Sequence, residues 1–117
     1  MKEHYGCPVQ GTINVISGKW KVLALWHLGF RPRRFAELRE LLPGISEKVL
    51  TSQLRQLEAD GIVQRHIKPS SPPQVTYSLT RAGDELIEAM TVLCGWGTRH
   101  LGIPPNLARY PRAQKSA

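Results

Sequence analysis

The stretch from Ser46 to Gly61, SEKVLTSQLRQLEADG, carries both ends of a helix and an apolar stripe between them, and it constrains the fold more than any other segment. Ser46 suits the N-cap, where a hydroxyl accepts one of the unpaired N–H groups of the first turn, and Glu47 complements the positive end of the dipole. Gly61 suits the left-handed position just past the end, which brings Ile62 back onto Leu57 in Schellman fashion. Val49, Leu50, Leu54 and Leu57 recur at helical spacing and are expected to face a core. The other side carries Lys48, Thr51, Ser52 and Arg55, spaced i, i+3, i+4 and i+7.

A polar helix face is most often merely solvated. What distinguishes this one is its neighbourhood. A shorter helix, Phe35 to Leu42, precedes it through the tight connector Pro43-Gly44-Ile45. A helix, a Gly-bearing turn and a longer helix make the helix-turn-helix pattern, whose second member enters the major groove. At about 1.5 Å per residue the second helix is about 21 Å long, enough to lie along that groove. Ser46–Asp60 is therefore read as a recognition helix, with an ammonium, hydroxyls and a guanidinium on its outer face.

The chain has 117 residues and a formal charge of +7, which suits one domain with an acidic partner, either nucleic acid or an anionic surface. No apolar run is long enough to span a bilayer, and the first residues show no signal-peptide core, so no membrane partner is expected. Cys7 and Cys94 make no disulfide framework, and the cytoplasm is the expected compartment.

Along the chain, Pro8 opens a first helix with Val9, Ile13 and Ile16 on one side, and Ser17-Gly18 ends it. Val22–Leu28 reads as a short helix, apolar nearly all round and so central, stopped by Gly29. Phe30 to Arg34 reads as a basic connector, with Arg34 beside the next helix and within reach of phosphates. After Gly61 the period falls to two. Val63, Arg65 and Ile67, then Val75, Tyr77 and Leu79, define two strands around a Pro/Ser tip. A hairpin in that place is a wing, and Arg65, His66 and Lys68 near its tip are expected to hold phosphates or the minor groove. Thr80 caps a last long helix whose Leu86, Ile87, Met90, Leu93, Cys94, Trp96 and Leu101 cover more than one face. That surplus predicts a partner surface, and a two-fold dimer would set two recognition helices about 34 Å apart, one DNA turn. From Pro104 the tail is expected to be mobile.

The fold expected is thus mainly α with a small β-hairpin wing, an α+β winged helix. Its helix-turn-helix covers 35–60, the wing 62–79, the dimerisation helix 80–101 and the tail 104–117.

The residues also resemble a known family. Cys7-Pro8-Val9, Gly18-Lys19-Trp20, Arg34-Phe35 with Glu37-Leu38, Pro43-Gly44-Ile45-Ser46, Lys48-Val49-Leu50 and Leu54 with Leu57-Glu58 are similar to HxlR-type winged-helix regulators. So are Gly61-Ile62-Val63, Pro72-Pro73, Tyr77-Ser78-Leu79-Thr80, Gly83 and Trp96. The resemblance spans about residues 7 to 97 in order. It implies a bacterial homodimeric transcription factor related to the MarR group, with dimer contacts from the first and last helices. It leaves open the operator and whether transcription falls or rises.

Several such proteins sense electrophiles or oxidants through a cysteine near the N-terminus, and Cys7 occupies that place. A thiol at a helix N-terminus meets the positive end of the dipole, which raises reactivity where the site is accessible. The other reading is an unreactive thiol packed under the first helix. Cys94 is expected in the core or an interface. A small-molecule effector cleft around Trp20, Trp26 and Trp96 stands beside the reading of those residues as core.

No phosphate-binding loop, metalloprotease helix, CxxC pair or nucleophile elbow is present, and His4, His27, His66 and His100 are scattered. His4 with Cys7 is too few ligands for a metal. The chain reads as a non-enzyme without a cofactor. Its expected partner is double-stranded DNA bearing a palindromic operator, with Lys48, Thr51, Ser52 and Arg55 reading base edges or adjacent phosphates, Arg34, Arg65, His66 and Lys68 mainly holding the backbone, and Ser46 counted with them as a DNA-binding residue. The alternative is a winged-helix module that meets an acidic protein instead.

Overall fold

The computed structural model describes residues 7–104. In chain order it comprises α1 (Pro8–Ile16), α2 (Lys19–Phe30), β1 (Arg33–Arg34), α3 (Phe35–Leu41), α4 (Glu47–Ala59), β2 (Val63–Lys68), β3 (Gln74–Leu79) and α5 (Arg81–Leu101). This is the expected α+β winged helix. The stretch expected to be a tail lies outside the described residues apart from Pro104.

The caps of α4 form as the residues dictate. Ser46 Oγ accepts from Val49 N–H at 3.1 Å. Gly61 sits at φ +76°, its N–H donates to the Glu58 carbonyl at 3.0 Å, and Ile62 N–H donates to the Leu57 carbonyl at 2.9 Å. Those two bonds are the Schellman pair. Leu50, Leu54 and Leu57 are fully buried, joined in the core by Leu25, Leu38, Leu42 and Ile87. Val49 departs from expectation and is 37% exposed. At about 100° per residue it stands more than a quarter turn from Leu50, on the margin of the stripe.

Two further departures concern α2 and the connector after it. The helix starts at Lys19 and runs through Gly29 to Phe30, so Gly29 does not stop it. Gly29 is buried with Ala24, Leu25 and Leu28. Packing of that kind offsets the roughly 1 kcal/mol that glycine costs inside a helix. Phe30 is therefore helical, and the basic connector contains a strand. Arg33 and Arg34 pair antiparallel with Tyr77 and Thr76, giving the sheet order β1-β3-β2. A two-residue strand has no period to detect. It forms because Arg33 Nε donates to the His27 carbonyl at 3.2 Å and the Arg34 guanidinium donates to Gln74 Oε1 at 3.0 Å.

Thr80 joins wing to helix. Its hydroxyl accepts from Gly83 N–H at 3.1 Å, capping α5, and donates toward the carbonyls of Gly61 at 2.6 Å and Ile62 at 3.1 Å. Thr80 N–H also donates to the Ile62 carbonyl at 3.0 Å. The start of α5 is thereby tied to the end of α4. Gly83 lies at this crossing, where a Cβ would collide with the Ile62 carbonyl oxygen and touch the Leu79 side chain.

Leu54→Ala should lower stability by about 2–5 kcal/mol in urea unfolding, as for a fully buried leucine. Gly→Ala inside a helix ordinarily stabilises by about 1 kcal/mol. At Gly83 the sign should reverse, with a loss of about 1–3 kcal/mol from overpacking against backbone.

Candidate nucleic-acid interface

Burying the leucines of α4 turns the opposite side of the helix outward. Lys48, Ser52 and Arg55 are exposed and Thr51 half-buried, and together they line an open recess of about 800 Å³. Glu47, Gln56 and Ala59 share that lining. The structure thus brings together the four polar residues expected to read bases. It adds Gln56, whose amide nitrogen lies 3.4 Å from Ser52 Oγ. The i, i+4 ridge from Lys48 through Ser52 leads to Gln56, so helical spacing carried the signal for it. Ser46 lies at the N-terminal edge, its oxygen already engaged as the cap of α4.

Beside this face, α3 contributes a second open recess of about 470 Å³, lined by Phe35, Ala36, Arg39, Glu40 and Glu47. Arg39 and Glu47 form an ion pair across it at 3.6 Å. Sequence reading missed Arg39, because the pairing joins two helices and has no local period. At the start of α3, Glu37 Oε1 accepts from Arg34 N–H and Oε2 from the Arg31 guanidinium, both at 3.0 Å. The Arg34 N–H bond, with Arg31 and Arg33 nearby, holds the Glu37 carboxyl below its usual range. The cap on α3 is therefore the reach-back half of a capping box alone, since an arginine side chain offers no acceptor.

The sheet divides the basic wing residues between two sides. In the pairing, Arg34, Thr76 and His66 form one row across the strands, and Arg33, Tyr77 and Arg65 form the next. Successive side chains point to opposite faces. Arg34, His66 and Lys68 thus share the outer face with Gln64, Gln74, Thr76 and Ser78, a set without a carboxylate. His66 Nε2 lies 3.0 Å from Ser78 Oγ. Arg65 points the other way, alongside buried Val63 and Tyr77, where its Nε lies 4.0 Å from Glu58 Oε2 at the last turn of α4. Burial raises the Tyr77 hydroxyl above its usual range, Glu58 adds to that rise, and Arg65 works against it.

The two cysteines occupy different surroundings. Cys7 is exposed at the N-cap of α1, and its side chain makes no cap bond. Cys94 is half-buried in α5, and burial pushes its thiol up, which disfavours the nucleophilic thiolate. The first turn of α1 is solvent-facing, with Val9 66% exposed, so Cys7 is not packed beneath the helix as the inert reading required. Trp20 and Trp26 pack partly against the core, while Trp96 is half exposed and tilts against the His100 ring at 5.1 Å. Among the described residues no cluster of His, Cys, Asp and Glu is placed to hold a metal, and no helix is long and apolar enough to cross a membrane.

Known proteins share this arrangement. The HTH-type transcriptional regulator YtcD of Bacillus subtilis, described as uncharacterized, is 43% identical over 100 residues, covering 86% of this chain and 79% of its own. The redox regulator HypR in its reduced form superposes with a TM-score of 0.76 at 42% identity, covering 81% of this chain and 96% of that one. Diamide-treated YodB from B. subtilis superposes with a TM-score of 0.70 at 31% identity, covering 87% of this chain and all of that one (100%). Residues 15–103, from α1 to just past α5, match the HxlR-like helix-turn-helix description, and the chain belongs to that family of transcriptional regulators.

Proposed function

We propose that the chain acts in the cytoplasm as a homodimer on a palindromic DNA operator, with α4 of each copy in a major groove. The observation that carries this reading is the outer face of α4. Lys48, Thr51, Ser52 and Arg55 stand together around an open recess, opposite the buried leucines. A guanidinium there can bond guanine edges bidentately, hydroxyls can serve any base, and an ammonium can meet guanine or phosphate. Ser46, at the N-terminal end of the face, adds a hydroxyl donor where phosphates approach a helix start. Arg34, His66 and Lys68 lie on the acid-free face of the sheet and serve the phosphate backbone, which positions without reading sequence.

Dimerisation is supported by apolar surface that the chain leaves uncovered. On α5, Val92, Leu93, Trp96 and Leu101 are exposed, and on α1 so are Val9 and Ile13. Scattered apolar residues are ordinary on a surface, whereas a run on two helices marks an association face. A two-fold axis through it would present two copies of α4 to half-sites about 34 Å apart. Cys7 begins one of those helices, and an oxidant or electrophile reaching its exposed thiol would act on the geometry of the pair. The likeness to HypR, a redox regulator, supports that effector class.

Operator selection from a random duplex pool tests the reading, followed by competition against unselected duplex at two salt concentrations. Arg55→Ala should weaken the selected duplex by about 1–3 kcal/mol and the unselected one far less. Lys68→Ala should weaken both alike and flatten the salt slope by about one. Equal losses from both variants on both duplexes would refute the division between α4 and the wing. Diamide should release wild-type protein from the selected duplex and spare Cys7→Ser; release of both would place the sensor elsewhere.

A further inference from the structure

Arg65 differs from the other basic residues of the wing. His66 and Lys68 are directed to the outer face, whereas Arg65 lies on the face that meets α4. Its Nε stands 4.0 Å from Glu58 Oε2, and the Glu58 side chain is only 28% exposed. Directly across the strand pair is Tyr77, itself buried. A buried tyrosine hydroxyl normally finds a hydrogen-bond partner, and Arg65, paired with Tyr77 across the strands, brings a guanidinium to that side of the sheet. With five N–H donors in a fixed fork, one guanidinium can serve a carboxylate and a hydroxyl together.

We propose that Arg65 is a positioning residue, which with Glu58 and Tyr77 braces the wing against the last turn of the recognition helix. The three side chains come from β2, α4 and β3, so the brace crosses between the two elements that meet DNA. Turning Arg65 toward a phosphate would take the guanidinium away from Tyr77 and leave the Glu58 carboxylate without its cation beside a polyanion. Both changes oppose binding. The brace instead holds the angle between α4 and the wing, so that bases and backbone are engaged in one register. The inference rests on the DNA-binding reading for its consequence, while the brace itself exists in the free protein.

Backbone amide exchange of the free protein tests the brace, and two duplexes test its consequence. The duplexes are one selected by the wild type from a random pool and one unselected, each at two salt concentrations. Arg65→Gln and Tyr77→Phe should both speed exchange of the amides from Arg65 to Lys68. Both should weaken the selected duplex about three- to tenfold, the size of one coupled interaction. Binding to unselected duplex and the salt slope should stay at wild-type values. A slope reduced by about 0.9 in Arg65→Gln, with equal losses on both duplexes, would make Arg65 a phosphate ligand and overturn the proposal. Wild-type exchange in Tyr77→Phe, which removes one hydroxyl and no charge, would overturn it as well. If the wild type prefers no duplex over another, the DNA-binding reading falls, and the exchange data still decide the brace.

Discussion

Leu50, Leu54 and Leu57 are fully buried where α4 packs against α2 and the adjoining strand β2. Each contributes roughly 1.5–3 kcal/mol relative to an exposed leucine, which makes this one side of α4 the part of the chain least free to rotate. A helix is a rigid cylinder, so fixing one side fixes the other. Lys48, Ser52, Arg55 and Ala59 fall roughly opposite the leucines at about 100° per residue. The chemical face of the molecule is therefore a geometric consequence of its core, and requires no separate interaction to hold it outward. Val49, at the margin of the stripe, belongs fully to neither side.

The wing depends on the same helix through its last turn. The Schellman bonds at Gly61 reverse the chain and deliver Ile62 and Val63, both buried, into the first strand. Thr80 then returns the chain to the same place, with its hydroxyl and its N–H both engaged at the carbonyls of that turn. The hairpin thus begins and ends at one point on α4. On the inner face of the sheet the ion pair of Arg65 with Glu58 adds a further tie between hairpin and helix. At Gly83 the crossing is so close that a methyl group cannot be admitted without moving backbone.

Charge is distributed according to this geometry. The net +7 says only that an anionic partner is favoured. Placement adds the meaning, since the outer face of the sheet carries Arg34, His66 and Lys68 with amides and hydroxyls and no carboxylate. Three carboxylates near the interface are engaged within the protein. Glu37 is held by Arg34 N–H and Arg31, Glu47 lies by Arg39, and Glu58 lies by Arg65. Each ion pair is partly exposed and weak as a source of stability. Their effect is rather to neutralise negative charge beside a surface suited to phosphates.

Residue spacing alone determined what local chemistry can determine: the caps at Ser46, Gly61 and Thr80, the stripe of α4, the period-two strands and the turn between α3 and α4. These depend on neighbours within a few residues, and the family likeness of the motifs rests on the same positions. Tertiary structure decided what depends on neighbours far along the chain. Gly29 continues α2 because packing around it outweighs its propensity, and Arg33-Arg34 becomes a strand because β3 offers an edge to it. Arg39 meets Glu47 across two helices. Arg65 and His66, adjacent and both basic in the sequence, part to opposite faces of the sheet, one toward Glu58 and the other toward Ser78. A strand's period of two is legible in the residues, but which of its faces meets a helix is set only when the helix arrives.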